Sequence, residues 1–131
     1  MKIAVDTNVL VRAAVRDDPE QTDAATRIMA RAEVLAITVS SLCEFVWVLR
    51  GVYGYRAPKI AEAIGILLSA ENVETNRASA EAGLAMLDAG GDFADGVIAY
   101  EGRWLGAETF VSFDKKAVEM LAAQGQAARL L

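Results

Sequence analysis

The sequence predicts an α/β protein built around a short parallel sheet. Segments rich in β-branched residues alternate with segments whose apolar residues recur at helical spacing, as in strand–helix–strand units. The length of 131 residues suits one domain with one core, and no repeat, low-complexity tract or linker interrupts it. We therefore expect residues 1–131 to form a single domain, with about four or five strands and helices on both faces of the sheet.

The individual elements follow from local patterns. Short β-branched or apolar runs predict strands at Lys2–Val5, Val34–Thr38, Asn72–Thr75, Thr109–Phe113 and Ala127–Leu130. Helical periodicity, bounded by Gly, Pro and capping residues, predicts helices at Val9–Arg16, Pro19–Glu33, Leu42–Arg50, Ala57–Ser69, Arg77–Ala89, Phe93–Leu105 and Asp114–Gln124. The alternation of the two kinds of element favours parallel strand pairing.

The composition excludes several classes of protein. Hydrophobic residues make up 54% of the chain and charged residues 24%, which is typical of a globular protein. The single cysteine, Cys43, cannot form an internal disulfide and favours a reducing compartment, so we expect a cytoplasmic protein. No apolar run is long enough for a signal peptide or a membrane span. Because the chain has no histidine, every mechanism that needs an imidazole is excluded.

Five acidic residues lie where predicted strands end or predicted helices begin. They are Asp6, Glu44, Asp92, Asp95 and Asp114. Because the carboxyl ends of parallel strands meet at one edge of a sheet, we expect these carboxylates to converge on one pocket. The remaining acids equal the 13 Lys and Arg in number, so the net charge of −5 does not exclude a nucleic-acid substrate.

Each of these acids also has a purely structural interpretation. Asp92 and Asp114 can cap the helices that follow them, and Asp95 can complement a helix dipole. Ser41 and Glu44 match the capping-box spacing, with Ser41 as the cap. Asp6 is harder to explain in this way, because it follows a strand that we expect to be buried.

Glu44 points more strongly to a metal ion. It lies in the first turn of a predicted helix that is apolar nearly all round, so we expect its side chain to be buried. A buried carboxylate without a partner costs several kcal/mol, and a cation removes that cost. Oxygen donors without histidine favour Mg²⁺ or Mn²⁺ over zinc. We interpret Cys43, by contrast, as a small core residue.

Together these residues resemble the motifs of the PIN-domain ribonucleases. The matching segments, in order, are Asp6-Thr7-Asn8-Val9-Leu10, Glu44, Asp92-Phe93-Ala94-Asp95 with Ile98-Ala99, and Phe113-Asp114. The size and motif order look most like the VapC-type toxins of toxin–antitoxin pairs. The resemblance covers essentially the whole chain and implies a single PIN domain that hydrolyses RNA as a Mg²⁺- or Mn²⁺-dependent endoribonuclease.

The resemblance also implies roles for particular residues. Four acids match the catalytic and metal-binding positions of the family: Asp6, Glu44, Asp95 and Asp114. Asp92 matches an additional metal-site acid of many members, and Asn8 and Ser112 match supporting polar positions. Bound metal ions can activate water and stabilise both the attacking and the leaving oxygen, so such a mechanism needs no histidine.

Substrate and partner contacts are expected as well. Four cations near the motifs are candidates for phosphate contacts, although solvated surface charge also explains each one: Arg12, Arg16, Lys115 and Lys116. The resemblance implies a single-stranded or loop RNA substrate, a homodimer, and a VapB-type antitoxin whose C-terminal segment reaches the acidic pocket. We expect most of the aromatic side chains from Phe45 to Tyr55 to lie in the core.

Two other functions remain open at this point. One is a catalytically inactive PIN-fold interaction domain, in which the acids only cap helices. The other is a Mg²⁺-binding phosphoryl-transfer domain of the receiver type, which would need a pair of acids after the first strand, where this chain has only Asp6.

Overall fold

The structure is a computed structural model that describes residues 1–131. The chain forms two compact units, Met1–Asn76 and Arg77–Leu131. Both units combine helices with parallel strands, so the predicted α/β class is confirmed. None of the helices is long and apolar enough to cross a membrane.

The first unit carries a three-stranded parallel sheet with β2 in the centre. Its elements are β1 (Lys2–Ala4), α1 (Thr7–Val15), α2 (Pro19–Arg31), β2 (Val34–Ala36), α3 (Val39–Gly51), α4 (Ala57–Ser69) and β3 (Val73–Glu74). Fully buried side chains from the helices pack together with the central strand, among them Leu10, Leu35, Phe45 and Ile60. This core fixes the ends of α1 and α3, which carry Asp6 and Glu44.

The second unit carries a two-stranded parallel sheet and three helices. Its elements are α5 (Arg77–Asp88), α6 (Phe93–Trp104), β4 (Phe110–Ser112), α7 (Lys115–Ala123) and β5 (Ala128–Leu130). Met86, Ala99 and Leu121 form its buried cluster, and Phe93 is fully buried as well. Burial of these apolar side chains holds the N-termini of α6 and α7, where three of the predicted acids lie.

The five predicted strands and seven predicted helices are all present, with shifted boundaries. The strands form two sheets, of three and two strands. The first helix begins at Thr7 instead of Val9, because the carboxylate of Asp6 accepts a hydrogen bond from the backbone N–H of Thr7 and so caps the helix two residues earlier.

Candidate functional site

Asp6 lies two residues beyond β1, at the N-terminus of α1. Its Oδ1 accepts a 2.7 Å hydrogen bond from the backbone N–H of Thr7, and its Oδ2 lies 3.5 Å from the donating Nδ2 of Asn8. The partial positive charge of the helix N-terminus stabilises the carboxylate at this position. Asn8 therefore contacts the Asp6 carboxylate, and Asp6 itself is a helix cap.

Glu44 is linked to the same region by a residue that the sequence analysis missed. The hydroxyl of Thr7, a buried side chain, donates to Oε2 of Glu44 across 3.3 Å. Thr7 is thus a bridge between the N-terminus of α1 and the second turn of α3. The adjacent Asp6-Thr7-Asn8 polar run is a sequence signal for this region, but the 37-residue separation of Thr7 and Glu44 hides their contact.

Three expectations about Glu44 and its helix are wrong. Glu44 is exposed instead of buried, because Leu42, Phe45, Val46 and Leu49 form the buried stripe of α3 and turn Glu44 outward. Ser41 is not the cap: the N–H of Ser41 donates to Oγ1 of Thr38, the residue that caps α3. The helix therefore begins earlier, so Glu44 lies in its second turn and forms no capping box.

In the second unit, two of the predicted acids cap helices. Oδ1 of Asp92 accepts from the N–H of Ala94 at 2.9 Å, at the start of α6. Oδ1 of Asp114 accepts from the N–H of Ala117 at 3.1 Å, at the start of α7. The hydroxyl of Ser112 accepts from the N–H of Asp114 at 2.9 Å, so Ser112 fixes the backbone at Asp114. Each cap uses one of the two oxygens of its carboxylate.

Asp95 lies in the first turn of α6 and is half-buried. Burial, followed by repulsion from Asp92 and then from Asp114, raises the pKa of its carboxyl group. Three of the five predicted acids are thus close enough in the second unit to act on one another electrostatically. A cation among them would relieve that repulsion.

A close helix crossing positions Asp95. A Cβ atom added at Gly96 would collide with the backbone carbonyl of Ala82 on α5 and would lie 2.8 Å from Cγ of Met86. The missing side chain therefore allows α6 to pack directly against α5. Gly83 on α5 has the reciprocal role, since a Cβ there would lie 2.6 Å from the ring of Phe93.

The candidate cations differ in their surroundings. Arg12 donates to Asp17 at 3.0 Å and is half-buried, so much of its charge is already paired. Lys115 lies 3.9 Å from Glu119, whereas Arg16 and Lys116 are exposed. Of the four, Lys115 and Lys116 directly follow the capping Asp114 in α7. Contact between these four cations and phosphate stays a prediction.

The donor chemistry fits a hard divalent cation. All the predicted ligands are carboxylates, which suit Mg²⁺ and Mn²⁺. Burial, and after it repulsion from Asp92 and Asp114, raises the pKa of Asp95, and a nearby cation would offset both effects. These side chains do not form a complete coordination shell, because no group of three or more acidic or cysteine side chains lies close enough to hold a metal ion.

The α/β fold places carboxylates at the starts of α1, α6 and α7, and such oxygen donors suit divalent metals. The PIN domain family matches residues 3–121, so the chain belongs to that family. PIN domains are generally metal-dependent nucleases. No curated protein matches the sequence.

Substitution of Thr7 by Val tests the bridge to Glu44. We expect Thr7→Val to lower any metal-dependent activity by about 10-fold or more, because loss of a hydrogen bond that orients a metal-site carboxylate has effects of this size. The Mn²⁺ concentration needed for half-maximal activity should rise, and Thr7→Ser, which keeps the hydroxyl, should restore it. An effect on stability alone, with unchanged metal dependence, would contradict this role.

Substitution of Asp95 by Asn tests the electrostatic strain. The folded-state pKa of Asp95 lies above its unfolded value of 3.8, so the folded protein binds more protons and loses stability as pH rises through that interval. We expect Asp95→Asn to raise the free energy of unfolding at pH 7 without added metal, with the difference narrowing towards pH 4. Urea unfolding measures it, and Asp23→Asn, on exposed α2, is the control. Equal stability of Asp95→Asn and wild type at pH 7 would contradict the raised pKa of Asp95, whose causes are burial and then repulsion from Asp92 and Asp114.

Proposed function

We propose that the protein is a metal-dependent endoribonuclease and the toxin of a VapC-type toxin–antitoxin pair. Membership of the PIN family supports the nuclease class. The observation that carries the proposal is Asp95, which lies half-buried beside two other carboxylates although Asp92 already caps the helix. An acid in the first turn of α6 also complements the helix dipole, but that role does not need two further carboxylates nearby, whereas metal binding favours such a group.

In this proposal the carboxylates that bind Mg²⁺ or Mn²⁺ are those of Asp6 and Glu44 in the first unit and of Asp95 and Asp114 in the second, with Asp92 as an additional acid. The ion, when bound, supplies a more acidic water and neutralises charge on the scissile phosphate. The chain contributes fixed carboxylates: the α1 N-terminus orients Asp6, and the hydroxyl of Thr7 orients Glu44. Glu44 and Asp95 either bind the ion or orient the attacking water.

The proposed substrate is single-stranded or loop RNA, whose phosphates bind exposed cations of the protein. Lys115 and Lys116 are exposed beside Asp114, and Arg16 is exposed at the C-terminus of α1. The 2′-hydroxyl and the unstacked bases of such RNA are what a protein recognises in it.

The proposed partners are a second copy of the chain and a VapB-type antitoxin, both suggested by the motif order. The homodimer is tested by light scattering of the purified protein. A mass of twice 14.0 kDa supports it, and a monomeric mass at all concentrations contradicts it.

Cleavage of labelled RNA by the purified protein tests the nuclease function. We expect cutting with Mg²⁺ or Mn²⁺ and none with EDTA, because the carboxylates alone provide no Lewis acid to neutralise the charge on the phosphate oxygens. Cutting that is equally fast in EDTA contradicts the proposal.

The cap bonds favour one alternative, a PIN-fold interaction domain without catalysis. Asp6, Asp92 and Asp114 each accept a hydrogen bond from a helix N-terminus, and this role accounts for three of the five acids. Ser, Thr or Asn would cap a helix equally well, so the presence of a carboxylate at all three positions favours the metal site. Metal-dependent stabilisation separates the two functions.

A further inference from the structure

One stretch of the first unit differs in charge from the rest of this acidic chain. From Phe45 to Ala61 there is no acidic residue, although the chain carries a net charge of −5. The stretch contains three exposed cations and three aromatic side chains that are not fully buried. We call this set the aromatic–cationic patch: Trp47, Arg50, Tyr53, Tyr55, Arg56 and Lys59.

The backbone fixes the turn that carries the two tyrosines. The N–H of Tyr53 donates to the carbonyl of Val48 at 3.3 Å, and the N–H of Tyr55 donates to the carbonyl of Leu49 at 2.9 Å. Gly54 between them has a φ of +68°, which a larger residue rarely adopts. The turn therefore folds back onto the last turn of α3 and presents both rings there.

The rings are held by one another and by cations. Tyr53 and Tyr55 form an edge-to-face pair with centroids 6.4 Å apart, Nζ of Lys59 lies 4.0 Å from the centroid of Tyr55, and Arg12 donates to the hydroxyl of Tyr53 at 3.5 Å. The tyrosines are thus ordered before any ligand binds, with positive charge beside them.

Trp47 lies between Glu44 and this turn along the sequence of α3. Its side chain is 72% exposed, contrary to the expectation that these aromatics lie mostly in the core. Trp47 is three positions after Glu44, so the two are neighbours on the helix surface, separated by about 4.5 Å along its axis. Arg50 is exposed one further turn along the helix.

We propose that the aromatic–cationic patch binds single-stranded RNA, with a base stacked on Trp47 and phosphates on Arg50, Arg56 and Lys59. The inference rests on the proposed nuclease function and adds a binding surface to it. An exposed indole and nearby cations are the two components that sequence-tolerant single-strand binding requires. An RNA strand bound to this surface would run along α3 towards Glu44, where cleavage is proposed.

The test uses Asp6→Asn as the background, so that binding is measured without cleavage, and a labelled 12-nucleotide single-stranded RNA as the probe. Trp47→Ala is expected to weaken binding by about tenfold. Trp104→Ala, which removes a tryptophan that is 76% exposed at the end of α6, is the matched control and should bind as the background does. Fluorescence anisotropy gives both affinities.

Two further measurements separate the contributions of base stacking and of charge to RNA binding. With Trp104→Phe added to the background, Trp47 is the only tryptophan, and RNA should quench its fluorescence when tryptophan is excited selectively. Arg56→Gln should reduce the slope of log affinity against log salt by about 0.7. Arg27→Gln changes the net charge equally, at an exposed arginine paired with Asp23 on α2, and should leave the slope unchanged.

The outcomes distinguish this inference from the function on which it rests. If the wild type cuts RNA but Trp47→Ala and Trp104→Ala bind equally well, RNA binding by the patch is overturned and the proposed nuclease function is supported. If the background variant binds no RNA and the wild type cuts none, both proposals fail. If Trp47→Ala changes the mass in light scattering without changing RNA affinity, the patch is a contact between protein chains and the inference is overturned.

Discussion

Asp6→Asn is expected to lower the rate of RNA cleavage by at least about 100-fold, because it removes a charged ligand from the proposed metal centre while nearly preserving the side-chain shape. The fold should be retained. Asparagine is also a good helix cap, so the hydrogen bond to the N–H of Thr7 can persist. The variant thus separates the metal-binding role of Asp6 from its capping role.

The measurement is the initial rate of cleavage of a labelled RNA at saturating Mn²⁺, with circular dichroism to verify folding. Asp23→Asn is the control, because Asp23 is an exposed carboxylate on α2 whose partner is Arg27. We expect this control to cleave at the wild-type rate. Wild-type cleavage by a folded Asp6→Asn variant would contradict the assignment of Asp6.

Gly96→Ala is expected to lower the free energy of unfolding by about 1–3 kcal/mol, the usual effect of overpacking a close contact. The added methyl group would meet the backbone of Ala82, which cannot rotate away as a side chain can, and Cγ of Met86 at 2.8 Å. Because Asp95 precedes Gly96, displacement of α6 should also weaken metal binding.

Gly65→Ala is the matched control, on the first unit. Gly65 lies inside α4, and a Cβ atom there would have no neighbour within 4 Å. The substitution should raise the free energy of unfolding by up to about 1 kcal/mol, because alanine is the better helix former. Urea denaturation measures both variants, and equal stability of Gly96→Ala and wild type would contradict the tight crossing.

The class of fold is predictable from this sequence because its signal is local. Runs such as Val34 to Ala36 and the apolar periodicity of α4 specify a strand and a helix independently of the rest of the chain. Helix caps are nearly as local, and Asp92 and Asp114 cap as their positions suggest. Thr38 was missed because Ser40 and Ser41, two and three residues after it, are equally good caps.

The exposure of Glu44 could not be predicted from the number of apolar residues around it in the sequence. Leu42, Phe45, Val46 and Leu49 follow the i, i+3, i+4, i+7 spacing of one buried stripe. That spacing already places Glu44 on another face, and the apolar but exposed Trp47 obscured the pattern. Carboxylate donors and the acidic group around Asp95, not burial of Glu44, therefore favour a metal ion.

The contact between Thr7 and Glu44 and the repulsion at Asp95 were not predictable from the sequence. The first joins residues 37 positions apart, and the second depends on how α6 and α7 pack in the second unit. Both are tertiary features, which the periodicity of single helices does not encode. They are also the features that give the carboxylates an explanation beyond capping.

Thermal unfolding at increasing Mn²⁺, without RNA, tests most directly whether the carboxylates bind a metal. A site that binds only the folded protein stabilises it by about 2.7 kcal/mol when the free metal reaches 100 times its Kd. We predict that micromolar Mn²⁺ raises the Tm of the wild type and that Asp6→Asn and Asp95→Asn reduce the rise. A wild-type Tm unmoved by Mn²⁺ would contradict the metal centre and leave the acids as helix caps.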